Sequence, residues 1–248
     1  MYALKLKKEN SKMKKIIALL LTAILTLSLF ACNQPEEQPK ETDYEKFMKA
    51  NVGDTVTVET YVQATQSWWA DKITIYAEDK NGAYLFYETV CSEEDAAKLT
   101  PGTKIKVTGP KAEYAGELEI SGGTLEVIEE ATKYVAEPTD VTAKVGTDAL
   151  IDFMNRKVVI KNAEVVAYDE NGAAIEHKYG ERGDDIYFKV KVGETVVNMC
   201  IERYLTDPDT DVYKAVEALQ VGDKIDIECF LYWYNGANPH VTSVKAAQ

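Results

Sequence analysis

Two stretches of this chain read almost alike: LTPGTKIKVTGPKAEYAG at residues 99–116 and LQVGDKIDIECFLYWYNG at residues 219–236. Leu99 stands over Leu219, Gly102 over Gly222, Ile105 over Ile225, Val107 over Ile227, Tyr114 over Tyr234 and Gly116 over Gly236, at a constant offset of 120. In both, a turn glycine follows a leucine, and branched apolar residues then recur at every second position, the period of a strand with one buried face. An internal repeat of this kind sets the architecture of the whole chain. Upstream, Phe47-Met48 stands over Phe153-Met154 at an offset of 106, and Cys91 over Cys200 at 109. The offset therefore grows by 11 between the cysteine and the leucine, which places an insertion in the second copy around IERYLTDPDTD, residues 201–211.

The same order of elements fills both copies. The first has TVTVETYVQA (55–64), then KITIYAED (72–79) and AYLFYETV (83–90) joined by Lys80-Asn81-Gly82, a hairpin signal. SEEDAAKL (92–99) follows as a short helix with Ser92 at its N-cap and Asp95 three residues on, and KIKVTG (104–109) and ELEISGGTLEVI (117–128) complete the set. The second runs KVVIKNAEVVA (157–167), DIYFKVKV (185–192), TVVNMCI (195–201), a helix near VYKAVEAL (212–219), KIDIECFLYW (224–233) and HVTSVKA (240–246). Three strands, a helix and two strands is the order of the OB-fold, a five-stranded barrel. The expected fold is mostly β, two tandem OB-fold-like five-stranded barrels, each with a short helix between strands 3 and 4. The copies span 44–130 and 148–248, with 131–147 as linker. The run SWWADKITIYAEDKNGAYLFYETVCSEEDAAKLTPGTKIKVTG (67–109), with the YAGE and YNGANP turns, resembles tandem OB-fold lipoproteins of Firmicutes. That resemblance covers roughly residues 44–248 and implies the fold; it brings no catalytic residues with it.

Residues 1–31 read as a lipoprotein signal peptide. Six lysines precede an uncharged run of 16 residues, Ile16 to Ala31, short against the roughly 20 that span a membrane. The run ends in Leu29-Phe30-Ala31-Cys32, which resembles a lipobox and implies cleavage before Cys32 and acylation of its thiol, placing the protein on the outer face of a bacterial cell membrane. Met13, before Lys14-Lys15, is an alternative start to Met1. Residues 32–43 are Pro-, Glu- and Gln-rich and read as a flexible tether. Cleavage would remove six Lys and one Glu from 28 basic and 41 acidic residues, leaving 22 against 40 and a net charge of −18. Such a chain repels polyanions on average, which disfavours nucleic acid, whose binders draw affinity from Lys and Arg on phosphates.

The aromatics are the candidate ligand residues. Trp68 and Trp69 fall in the loop between the first two strands, and Tyr114, Tyr232, Tyr234 and Asn235 at the turns after the fourth strands; Tyr179 lies in the first loop of copy two. In OB-folds these loops border the binding face. Alternation in DKIDIECFLYW puts Ile225, Ile227, Cys229, Leu231 and Trp233 on one face and Asp226, Glu228, Phe230, Tyr232 and Tyr234 on the other. The carboxylates make the second face the wet one, so Trp233 is expected to cap the barrel interior and Tyr232 and Tyr234 to point outward. The alternative for Trp68 and Trp69 is a plug in one barrel and a lid on its neighbour.

Catalytic and metal signals are weak. Cys91, Cys200 and Cys229 form neither CxxC nor a Cys/His cluster, and read as small buried apolar residues. Asp207, Asp209 and Asp211 lack the glycine and glutamate of a calcium loop and suit a helix N-terminus better. His177 and His240 accompany no nucleophile pattern, and His240 suits a structural hydrogen bond. No enzyme, cofactor or metal is expected. The function that follows is a non-enzymatic, lipid-anchored envelope module binding a neutral or cationic glycan, peptide or envelope protein. Its rivals are a single-stranded nucleic-acid binder and a structural spacer without a small ligand.

Overall fold

A computed structural model describes residues 41–129 and 131–247; Cys32, the signal segment, both candidate start methionines and most of the tether lie outside them. Helix α1 (Asp43–Lys49) opens with a Thr42/Glu45 capping box. Strands β1 (Thr55–Thr65), β2 (Lys72–Glu78) and β3 (Ala83–Val90), the one-turn helix α2 (Glu93–Ala96), and strands β4 (Lys104–Tyr114), β5 (Glu117–Ser121) and β6 (Thr124–Val127) make the first barrel. Each strand of the ring pairs with its neighbour in the order β1-β2-β3-β5-β4 and back to β1, so the sheet closes on itself. The second copy adds β7 (Thr139–Asp140), two short 3₁₀ turns, β8 (Lys157–Val166), β9 (Ile175–His177), β10 (Ile186–Val192), β11 (Thr195–Ile201), helix α3 (Asp211–Glu217), β12 (Lys224–Phe230) and β13 (His240–Ala246). Its ring runs β8-β10-β11-β13-β12 and back to β8. In both rings the third and fifth strands are parallel, the arrangement that the OB-fold order demands.

The repeat is structural at its matched positions. Gly102 and Gly222 have φ of +88° and +97°, a region where side chains are strained. Each donates its N–H to the same point of the first strand, Val62 or Val165, at 2.8 Å. Leu99 with Leu219, Ile105 with Ile225, and Val107 with Ile227 are buried in their respective cores. Ser92 caps α2 through Asp95 N–H, and Thr210 caps α3 through Tyr213 N–H, leaving Asp207 and Asp209 to turn the preceding chain. Lys111 closes α1 from below: its buried amine donates to the carbonyls of Phe47, Met48 and Ala50 at 2.9–3.1 Å, groups the helix end leaves unpaired. Cys91, Cys200 and Cys229 are free and buried, and burial pushes the Cys91 thiol up to about 11.

The barrels dock on one another within one compact unit, and this corrects two expectations. Beyond a bulge at Glu228/Cys229 the chain buries Cys229, Phe230 and Leu231 in succession, so the outer face of the fourth strand is wet only as far as Glu228. Phe230 stacks on Tyr76 of the first barrel at 4.6 Å, with Leu85, Leu205 and Tyr232 around it. Tyr232 is half-buried, stacked 4.4 Å from His240, instead of pointing into water. Trp233 does not enter the barrel; its indole covers Gly116 of the opposite hairpin, where an added Cβ would meet it at 3.0 Å. His240 has the expected structural role, hydrogen-bonded through Nδ1 to the Tyr76 hydroxyl at 2.7 Å.

Polar groups fix the register of this seam. Glu78 accepts from Arg156 Nη1 at 2.9 Å and from the Lys157 N–H at 2.8 Å. Glu117, fully buried, accepts from Asn155 Nδ2 at 2.6 Å and from the Trp233 N–H at 2.8 Å. Burial pushes the Glu117 carboxyl up to about 8 and that of Glu119 up to about 7; the two hydrogen bonds to Glu117 oppose its rise. A carboxyl whose folded pKa exceeds its unfolded one stabilises the fold at low pH and loses that contribution as pH rises through the folded value. His240, driven down to about 3 by burial, acts oppositely between about 3 and 6.5, where the unfolded chain takes up its proton. His240 offsets only one of the two carboxyls below pH 6.5, so stability is expected to fall across about 4.5–8, most steeply between 6.5 and 7 where both carboxyls act unopposed, at roughly 1.4 kcal/mol per proton per pH unit. Urea midpoints across that window test it, and Glu117→Gln should flatten most of the slope.

Candidate functional site

The loop from β1 to β2 builds a groove. Trp69 and Lys72 bridge each other's backbones at 2.9 and 3.0 Å around Ala70 and Asp71, whose φ values of +50° and +60° make a tight turn usually reserved for Asn-Gly. The turn is anchored by Cys91 N–H on the Asp71 carbonyl at 2.9 Å. This geometry sends the two adjacent indoles apart. Trp68 packs on the first core and donates Nε1–H to the Cys91 carbonyl at 2.8 Å, while Trp69 stands 79% exposed. Trp68 is thus a plug, and Trp69 is a lid on nothing.

Across the floor, β2 and β3 shift register between Ile73 and Ile75, and Glu88 takes φ of +46° at the irregularity. Its carboxylate meets Lys72 Nζ at 2.7 Å, and both side chains remain about half in solvent, which leaves oxygens and N–H groups open to a visitor. Tyr87 flanks the pair and is 43% exposed. The opposite wall comes from the second barrel: Tyr204, 56% exposed, lies in the segment inserted in copy two. Ser67 N–H donates to the Tyr204 carbonyl at 2.9 Å and holds that wall in place. Together these residues enclose a groove of about 560 Å³, within the ~300–1,000 Å³ of small-ligand clefts. Left-handed backbone at Ala70, Asp71 and Glu88 is costly for residues other than glycine, and such strain concentrates at functional sites.

Of the sequence candidates, only Trp68 and Trp69 line this groove. Tyr114 and Tyr234 form a separate exposed ring pair, 5.9 Å apart, at the seam. Asn235, at φ of +54°, serves that junction through its N–H on the Ala115 carbonyl at 2.7 Å. Tyr232 is part of the docking contact, and Tyr179 is 77% exposed on a loop of the second barrel with Lys178 over its ring. The sequence reading missed Tyr87 and Tyr204. A signal for the second existed, an aromatic inside the one insertion that breaks the repeat. Among the described residues no group of three His, Cys, Asp or Glu side chains is placed to hold a metal ion.

No protein-family model matches the chain, and no curated protein matches it. Among solved structures, the p204 HINb domain is 12% identical and aligns over 78% of this chain and all of that one, with a TM-score of 0.35. A murine DNA-binding protein bound with double-stranded DNA is 12% identical over 77% of this chain and 96% of that one, at 0.34. A deletion mutant of the single-stranded DNA-binding protein from Thermus aquaticus is 10% identical over 79% and 96%, at 0.27. Scores and identities of this size transfer no ligand to this chain.

Proposed function

We propose that this protein is a non-enzymatic binding module, held by lipid on Cys32 at the outer face of a bacterial membrane, that takes its ligand in the Trp69–Tyr204 groove. The carrying observation is the groove itself: exposed rings from both barrels converge on the face OB-folds use, over strained backbone. An acidic chain supports a neutral or cationic ligand, a glycan, a peptide or an envelope protein. The anchor rests on Leu29-Phe30-Ala31-Cys32 behind its basic, then apolar, leader.

Two results test this reading. Trp69→Ala should weaken ligand binding by about tenfold or more while changing the unfolding free energy by less than about 0.5 kcal/mol, because the side chain is mostly in water. Binding unchanged in that variant would remove the groove from the function. For the anchor, cells expressing the full chain should incorporate labelled palmitate into it, and Cys32→Ala should abolish the label. Label retained in the variant would refute lipidation at Cys32.

A further inference from the structure

We infer that the groove takes a neutral oligosaccharide, laid between Trp69 and Tyr204 with vicinal hydroxyls on the Lys72–Glu88 pair; this rests on the binding-module reading. Charge is the first argument. Among the described residues Lys72 and Glu88 are the only charged ones lining the groove, and they neutralise each other at 2.7 Å. A polyanion finds the lining lysine already paired and a single guanidinium, Arg203, at the rim over Tyr204, on a chain acidic overall, and an ammonium ligand finds the one lining carboxylate already engaged.

Backbone pairing is the second. A peptide that binds by strand addition needs an open sheet edge. Here β2 is already paired with β1 and β3, and β3 with β2 and β5, so the floor offers no edge. What remains available is side-chain chemistry. An exposed ammonium beside an exposed carboxylate presents donors next to acceptors, and adjacent sugar hydroxyls, each donor and acceptor at once, can satisfy both.

The rings are the third. Trp69 and Tyr87 are exposed and, among the described residues, stack on no other ring, so each offers a flat apolar face, while Arg203 lies over Tyr204 at 5.2 Å. Pyranose rings carry C–H groups on one face, and those weakly positive edges suit the negative face of an indole or phenol. Because the groove is open and walled by both barrels, it suits the middle of a chain of a few sugars better than a single buried residue.

The test titrates the full-length protein, in a detergent without a sugar headgroup, with cellohexaose, chitohexaose, maltohexaose, hexalysine and dT12. Tryptophan fluorescence and calorimetry are followed at low and high salt. At least one neutral hexasaccharide should bind with Kd below about 1 mM and change less than about twofold with salt. Trp69→Ala and Tyr204→Ala should each weaken it about tenfold, and the double variant Lys72→Met/Glu88→Gln about fivefold. If only hexalysine or dT12 binds, and Trp69→Ala abolishes that, the groove is a binding site and the sugar assignment is wrong. If no probe binds, the sugar assignment falls; if binding survives Trp69→Ala, the groove reading falls with it.

Discussion

Phe230→Ala should destabilise the protein by about 3–5 kcal/mol and split its unfolding into two steps. The ring is 2% exposed and lies face to face with Tyr76, yet it belongs to neither barrel core; with Leu85 it forms a cluster of its own between them. Truncation removes the contact and leaves a cavity that two closed barrels, stiffened by their ladders, cannot collapse to fill. Both interior cores stay intact, so each barrel should retain its own transition once docking no longer couples them. Urea unfolding followed by tryptophan fluorescence and by circular dichroism checks it. Coincident curves with an unchanged midpoint would show that the seam contributes little.

The second large effect belongs to Arg156. Its guanidinium reaches across the seam to Glu78, a carboxylate 3% exposed whose pKa burial already raises. Removing one partner of a buried pair strands the other, at about 3–5 kcal/mol. Arg156 keeps 22% of its side chain in solvent, so about 3 kcal/mol is expected for Arg156→Ala. The deficit should be fully present near pH 8 and shrink in acid, as Glu78 takes up a proton and no longer needs a counter-charge. Glu78→Gln in the same background should restore part of the loss. A deficit independent of pH would place the effect in lost packing of the arginine stem instead.

Most of the fold was legible because the information was local. Alternation located the strands of both copies, and the constant offset aligned their glycines and core positions before any contact was known. The orientation of Phe230, Tyr232 and Trp233 was not legible in the same way. Alternation assigns two faces to a strand but cannot say that the outer face meets a second barrel. A clue did exist in KITIYAED and AYLFYETV, where Tyr76 and Leu85 are apolar on the face opposite Ile75 and Phe86; strands apolar on both faces are covered on both. The groove was half legible. Trp68 and Trp69 were singled out, but their divergence depends on a left-handed turn at Ala70-Asp71, a pair that no turn rule selects. Tyr204 becomes a wall only because docking brings its insertion over the β1–β2 loop.

The way the two sheets end also governs how this protein should behave when crowded. A sheet invites self-association along strands whose backbone groups are unpaired on one side. Among the described residues the long strands of the first ring are paired on each side, the second ring closes between β11 and β13 at the single pair Cys200–His240 with α3 packed beside β13, and the outermost strands of the second sheet are β7, two residues long, and β9, three. Such short margins offer almost no template for a neighbouring copy. Clumping on heating should therefore begin only after a barrel has opened, so turbidity should lag the loss of folded signal and never precede it.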